Sequence, residues 1–277
     1  MASDTTERTH PFHLVDPSPW PIVGSVAALL MAVGGIVYMH TDFLLLFVTG
    51  VILLLITFIG WWRDVVKESF VHHTEVVRTG LRIGMLLFIA SEVMFFFAFF
   101  WGYFHASLPI LSNVAGPWPN DGLEAMSAGG IPMLNTLILV TSSATVTVAH
   151  HAILENDRKT LVRWTAITWI LGVIFLGFQA YEYWHLIETE WKISDGIYPS
   201  AFFLATGFHG FHVFIGTTFL IVCWFRARAG HFTPDGHIGF EAAAWYWHFV
   251  DVVWIFLYIN VYWWGSSGFG HLALAAQ

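Results

Sequence analysis

FLLLFVTGVILLLITFIGWW, residues Phe43–Trp62, decides the fold. Twenty consecutive residues pass without an Asp, Glu, Lys or Arg. As a helix rising about 1.5 Å per residue, the run covers about 30 Å, the thickness of bilayer hydrocarbon. A buried strand is far shorter, and an unpaired strand in lipid would leave its backbone polar groups unsatisfied. The run is therefore read as a membrane-spanning helix.

Working outward, the same rule finds six more spans: 20–39, 83–104, 132–153, 164–187, 200–225 and 242–264, with this one at 43–62. No charge occurs from Ala125 to Leu154 or from Gly196 to Phe225. His40, Thr41 and Asp42 alone separate the first two spans, which predicts a tight helical hairpin. The bulk composition agrees. Of 277 residues, 57% are hydrophobic and 11% charged, against about 25% charged in an ordinary soluble domain. Mean hydropathy is +0.66. A water-soluble globule could not hide this much apolar surface, and disorder or nucleic-acid binding is excluded with it. One cysteine, Cys223, rules out an internal disulfide and any multi-cysteine metal site. Trp20–Met39 is too long for the apolar part of a secretory signal.

Basic residues set the orientation. With seven spans, Arg8, Arg63, Lys67, Arg78, Arg82, Arg158, Lys159, Arg163, Arg226 and Arg228 share one side, and Lys192 stands alone on the other. The N-terminus is read as inside and the C-terminus as outside. The chain reads as a single membrane domain: an inner segment 1–19, helices 1–2 over 20–62, helices 3–7 over 83–264 and an outer tail 265–277. Spans 1 and 2 lack ionisable residues, whereas the later spans carry nearly all of them. That asymmetry suggests a 2+5 grouping.

Charge in hydrocarbon is costly, so intramembrane ionisable groups are candidate functional residues. Glu92 lies about ten residues, or about 15 Å, beyond Arg82, and a phenylalanine cluster follows it. It is read as a helix–helix hydrogen bonder or as a lipid, proton or gating group. His248 and Asp251 stand three apart and share a helix face, as do His209 and His212. Glu182 and His185 make a third such pair. The 15 histidines raise a rival reading, a His-rich membrane metalloenzyme or haem-binding protein with His209, His212 and His248 as ligands. No spacing among them is a specific metal signature. At the inner rim, Trp61, Trp62 and Arg63 end span 2. Indoles favour the headgroup level and a guanidinium can pair with phosphate. His72, His73, Arg78 and Arg82 follow, and Arg226 ends span 6 on the same side.

Several long segments resemble one family: HLVDPSPW (His13–Trp20), WWRDV (Trp61–Val65), SEVMFF (Ser91–Phe96), ATGFHGFHV (Ala205–Val213) and GFEAAAWYWHFVDVVW (Gly239–Trp254). From about His10 to Gly265 the chain is similar to subunit III of cytochrome c oxidase, of the haem–copper oxidase family. The resemblance implies an all-α, seven-helix polytopic membrane protein in a 2+5 arrangement around a V-shaped, lipid-filled cleft. It implies a subunit with no redox centre, no catalytic residue and no bound metal of its own. Haem and copper then belong to partner subunits I and II, and subunit I is the main contact. Trp61, Trp62, Arg63, His73, Glu92 and Arg226 match positions around structural phospholipids. The histidines become packing or lipid contacts, and no nucleic acid is involved. The implied function is accessory: holding lipid, steadying subunit I and supporting proton uptake within a proton-translocating oxidase of aerobic respiration. The outer tail 266–277 and an N-terminus without transit-type features favour a bacterial plasma membrane over a mitochondrial inner membrane. A receptor would place its N-terminus outside, a retinal protein needs a lysine that span 242–264 lacks, and a transporter should show inverted repeats.

Overall fold

A computed structural model describes residues 11–15, 17–70, 73–108, 118–119 and 123–265. It contains seven helices long and apolar enough to cross a membrane: α1 (Trp20–Thr41), α2 (Leu45–Glu68), α3 (Glu75–Ser107), α4 (Ile131–Leu154), α5 (Arg158–Thr189), α6 (Ile197–Ala229) and α7 (Ile238–Leu257). A π-helical segment, Tyr258–Trp264, continues α7. Among the described residues the β pairing is an isolated bridge, Thr233 to Gly236. The chain is an integral, all-helical membrane protein, as expected. The predicted segment 1–10, Asp16, His72 and the tail 266–277 lie outside the described residues.

Each helix overlaps its predicted span, and most run longer. α3 begins eight residues before the predicted start, at Glu75, and takes Arg78 and Arg82 into its first turns. α5 begins at Arg158 rather than at 164. A charge-free count marks only the hydrocarbon-deep part, whereas the backbone ladder continues through the headgroup level until a capping signal stops it. Those signals are visible. Asp157 caps α5, its carboxylate accepting from the Lys159 and Thr160 amides at 3.0 and 3.1 Å. The Thr160 hydroxyl and these amides hold the Asp157 carboxyl below the ordinary range. Pro132 opens α4 within its first turn, where no N–H is required. Gly230, at φ 79°, ends α6 in the left-handed region. Asp42, at φ 58°, ends α1 and donates its N–H to the Tyr38 carbonyl, so the hairpin turns where predicted.

Two compact units divide the chain, Met1–Ile83 and Gly84–Gln277. The division falls near the 2+5 grouping, but inside α3 rather than before it. In the first unit α1 and α2 pack along their length by bringing backbone against backbone. A methyl on Gly34 would stand 2.6 Å from the Phe47 Cα, and one on Gly50 would stand 2.8 Å from the Met31 Cα. Small residues allow this approach, which dispersion rewards in lipid. The Trp20 indole N–H donates to Asp64 at 2.7 Å, and the Thr74 hydroxyl donates to the Pro11 carbonyl at 2.6 Å.

The second unit holds the aromatic core, with Trp247, Trp254, Phe175, Phe202, Phe240 and Tyr262 fully buried. α7 is the most enclosed span. Trp247 shows why. Its indole occupies the space that a methyl on Gly172 or Gly216 would take, at 2.7 and 2.9 Å. Its N–H donates to Ser142 of α4 at 2.8 Å. One side chain thus joins α4, α5, α6 and α7 through two glycines and a hydroxyl.

Candidate functional site

The polar residues within the spans of the second unit fall into three groups. The first joins α3 to α6. Glu92 Oε2 lies 2.9 Å from His212 Nε2, and His212 Nδ1 lies 2.6 Å from the Phe208 carbonyl. A carbonyl only accepts, so Nδ1 carries the donated proton. The contact with Glu92 then needs one further proton between the two groups, on the carboxyl or on the ring. Rings of Phe96 (4.9 Å), Phe95 (6.0 Å), Phe249 (6.3 Å) and Tyr246 (6.4 Å) surround the imidazole. This pairing was not predicted. Glu92 and His212 are 120 residues apart, and no sequence pattern links them.

His209 shares a stripe with His212 but faces another helix. Its Nε2 donates to the Val250 carbonyl of α7 at 3.0 Å, and its ring packs against Trp254 at 5.1 Å and Phe175 at 5.8 Å. His248 and Asp251 share a face of α7, and His248 bonds the neighbouring helix. His248 reaches the hydroxyls of Ser143 at 3.2 Å and Thr147 at 3.4 Å on α4. Asp251 is buried, and its Oδ1 has no hydrogen-bond partner. Glu182 and His185, three apart on α5, find different surroundings. Glu182 points inward and accepts from Gln179 at 3.0 Å and Tyr262 at 3.4 Å, while His185 is exposed and stacks on Tyr181. Residues three apart are neighbours on a helix surface, yet where a stripe meets the bundle edge one member turns in and the other out.

Hydroxyls supply much of what the histidines contact. Ser142, Ser143, Thr145 and Thr147 line α4, and Thr145 meets Thr168 of α5 at 2.9 Å. The run Thr141–Ser142–Ser143–Ala144–Thr145–Val146–Thr147 is the sequence signal that could have marked this ladder, because uncharged polar residues in a span join helices.

Cations stand at helix ends in each of the two units. Trp61, Trp62 and Arg63 are exposed at the end of α2. The neighbouring carboxylate, Asp64, is engaged by Trp20 and by Lys67 at 3.6 Å. Among the described residues Arg63 makes no ion pair. Arg226, at the end of α6, is half-buried. Its guanidinium lies 4.7 Å from the Phe232 ring centroid, and its Nε is buried without a partner. A methyl on Gly239 would meet Arg226 Nη1 at 2.7 Å, so the glycine makes room for the guanidinium. His73 packs edge-on to His13 at 5.6 Å.

His209, His212 and His248 each use ring nitrogens on protein partners, and the space between α6 and α7 is filled by aromatic rings. Among the described residues no group of three or more His, Cys, Asp or Glu side chains is placed to hold a metal ion.

Fold and site together define a polytopic, seven-helix membrane protein with hydrogen bonds between its helices and, at helix ends, two arginines that make no ion pair among the described residues. The family model for cytochrome c oxidase subunit III matches residues 10–266. Cytochrome c oxidase subunit 3 of Marchantia polymorpha is 55% identical, covering 95% of this chain and 100% of the relative. The Arabidopsis thaliana protein is 56% identical over 94% and 98%, and that of Danio rerio 52% over 94% and 99%. The chain belongs to the cytochrome c oxidase subunit III family and is a subunit of an oxidase complex.

Proposed function

We propose that this chain is a non-redox accessory subunit that holds phospholipid at its inner rim, steadies subunit I and supports proton uptake there. Arg63 and Arg226 carry the reading: among the described residues neither makes an ion pair, and each stands beside an aromatic ring or belt. A lipid phosphate at each unit would supply an acceptor, one for the buried Nε of Arg226 and another for the guanidinium of Arg63. Trp61 and Trp62 would seat the headgroup level, and His73 and Glu92 are the further lipid contacts that the family resemblance implies. Haem and copper are assigned to partner subunits I and II, because the histidines here are committed to helix contacts. The location is a respiratory membrane, the bacterial plasma membrane or, as the plant and fish relatives suggest, the mitochondrial inner membrane. The ten-to-one charge bias favours the N-terminus inside and the C-terminus outside.

Arg63→Ala with Arg226→Ala in the purified complex tests this. Each cation near an anionic surface is worth about 1 kcal/mol, so the pair should weaken lipid retention by about 30-fold. Phosphorus per complex should fall and inactivation during turnover should quicken. Unchanged lipid content together with an unchanged working lifetime would contradict the proposal.

A further inference from the structure

A second polar group lies deep in the second unit, away from the cationic rim. Asn135, Gln179 and Glu182 are 0%, 5% and 1% exposed. Both polar atoms of Asn135, Gln179 Oε1 and Glu182 Oε1 are buried without a hydrogen-bond partner from the protein. Unsatisfied groups at this density are rare, and each costs about 1–3 kcal/mol.

The helices bring them to one level. α4 and α5 are antiparallel neighbours whose register is fixed by Thr145 and Thr168. Ten residues back from Thr145 is Asn135, and eleven forward from Thr168 is Gln179, about 15–16 Å along each axis. Asn135 lies two turns from Ser142, on the stripe that Ser142 presents to Trp247. Its neighbour Thr136 accepts from Trp254 at 2.9 Å. Trp254 packs on Tyr262 at 5.7 Å, and Tyr262 donates to Glu182. Glu182 and Gln179 thus meet Tyr262, which packs on Trp254, and Trp254 reaches α4 at Thr136, the residue next to Asn135.

The hydrogen-bond inventory then names what is missing. Glu182 Oε2 already has two donors. The remaining atoms are three oxygens that need donors and one amide NH2 that needs an acceptor. A carboxylate would bury a charge with no cation beside it and add no donor. A neutral acid adds one O–H at Oε1, and one water adds two donors and an acceptor. Together they satisfy the set.

We propose that Asn135, Gln179 and Glu182 form a closed site for a single internal water, with Glu182 held as a neutral carboxylic acid that donates into it. The ligand class is water, and the site is independent of the lipid reading. It lets polar side chains lock α4, α5 and the π-helical segment together near the outer ends of their spans without a net charge.

The test uses the purified complex in two measurements. Infrared difference spectra of native protein against Glu182→Gln should show a carboxylic-acid carbonyl band, shifted downward in D2O and lost in the variant. High-resolution density should show one water within hydrogen-bond distance of the Asn135 and Gln179 side chains. If Glu182→Gln fails to assemble, Asn135→Leu replaces it, and the acid band should then move to higher frequency as its water partner is lost. Absence of any Glu182 acid band, or a band that Asn135→Leu leaves unmoved, overturns the proposal. So does density in which the Asn135 amide bonds Gln179 directly and leaves no room for water.

Discussion

Removing either member of the Glu92–His212 pair should cost nearly as much as removing both. The pair consists of one contact of 2.9 Å, with the His212 side chain 9% exposed. The ring cannot turn to find another partner, because its other nitrogen is engaged by the Phe208 carbonyl and aromatic rings surround it. Glu92→Leu therefore leaves His212 Nε2 unsatisfied, and His212→Leu leaves a carboxyl unsatisfied. Each should destabilise by about 1–2 kcal/mol, the range for an orphaned buried polar group and for side-chain bonds in membrane bundles. That is about a 5- to 30-fold shift in the folded fraction. Glu92→Leu with His212→Leu removes donor and acceptor together and should cost little more than one single change, a coupling of about 1 kcal/mol. Glu92→Gln should be nearly silent, since its amide can donate to Nε2. The assay is a denaturant titration in mixed micelles, followed by tryptophan emission, on the four proteins of the cycle and Glu92→Gln. Single costs that add within about 0.5 kcal/mol, or Glu92→Gln as damaging as Glu92→Leu, would refute the shared-proton pairing.

Two further outcomes follow from the backbone. Gly50→Ala should push α1 from α2 and cost about 1–3 kcal/mol in the same titration, whereas Gly80→Ala, with nothing within 4 Å, should be neutral or slightly stabilising. Equal effects at the two sites would remove the close-approach argument. Asp157→Ala should speed hydrogen exchange at the Lys159 and Thr160 amides, and Asp157→Asn should not. Because the Asp157 carboxyl is held below its ordinary range, its cap is fully present above that range and fades only as pH falls through the lower value. Exchange at these two amides that is indifferent to Asp157→Ala would mean that the cap does not protect the start of α5.

The seven spans were legible because hydrocarbon imposes one rule on any sequence: twenty apolar residues or a large penalty. The same rule singled out Glu92, His209, His212, His248 and Asp251, since charge at that depth has few uses. Helix ends were misplaced where Arg78, Arg82 and Arg158 lie inside helices, because charge marks the edge of the hydrocarbon and not the end of the hydrogen-bond ladder. The partners of the His248/Asp251 and Glu182/His185 pairs could not be read from their shared helix faces for a different reason. Spacing of three puts side chains near one another, but burial of one face against another helix offers each a closer partner.

The sequence by itself determined that the chain spans a membrane seven times, which residues lie deep, and that the first two helices are the apolar ones. Tertiary structure alone decided partners. Glu92 meets His212 across 120 residues, Trp247 enters the space left by Gly172 and Gly216, and Glu182 turns to Gln179 and Tyr262. The reason is that a periodic pattern specifies which face of each helix is buried, while the rotation and register of packed helices decide which donor on one face meets which acceptor on the next.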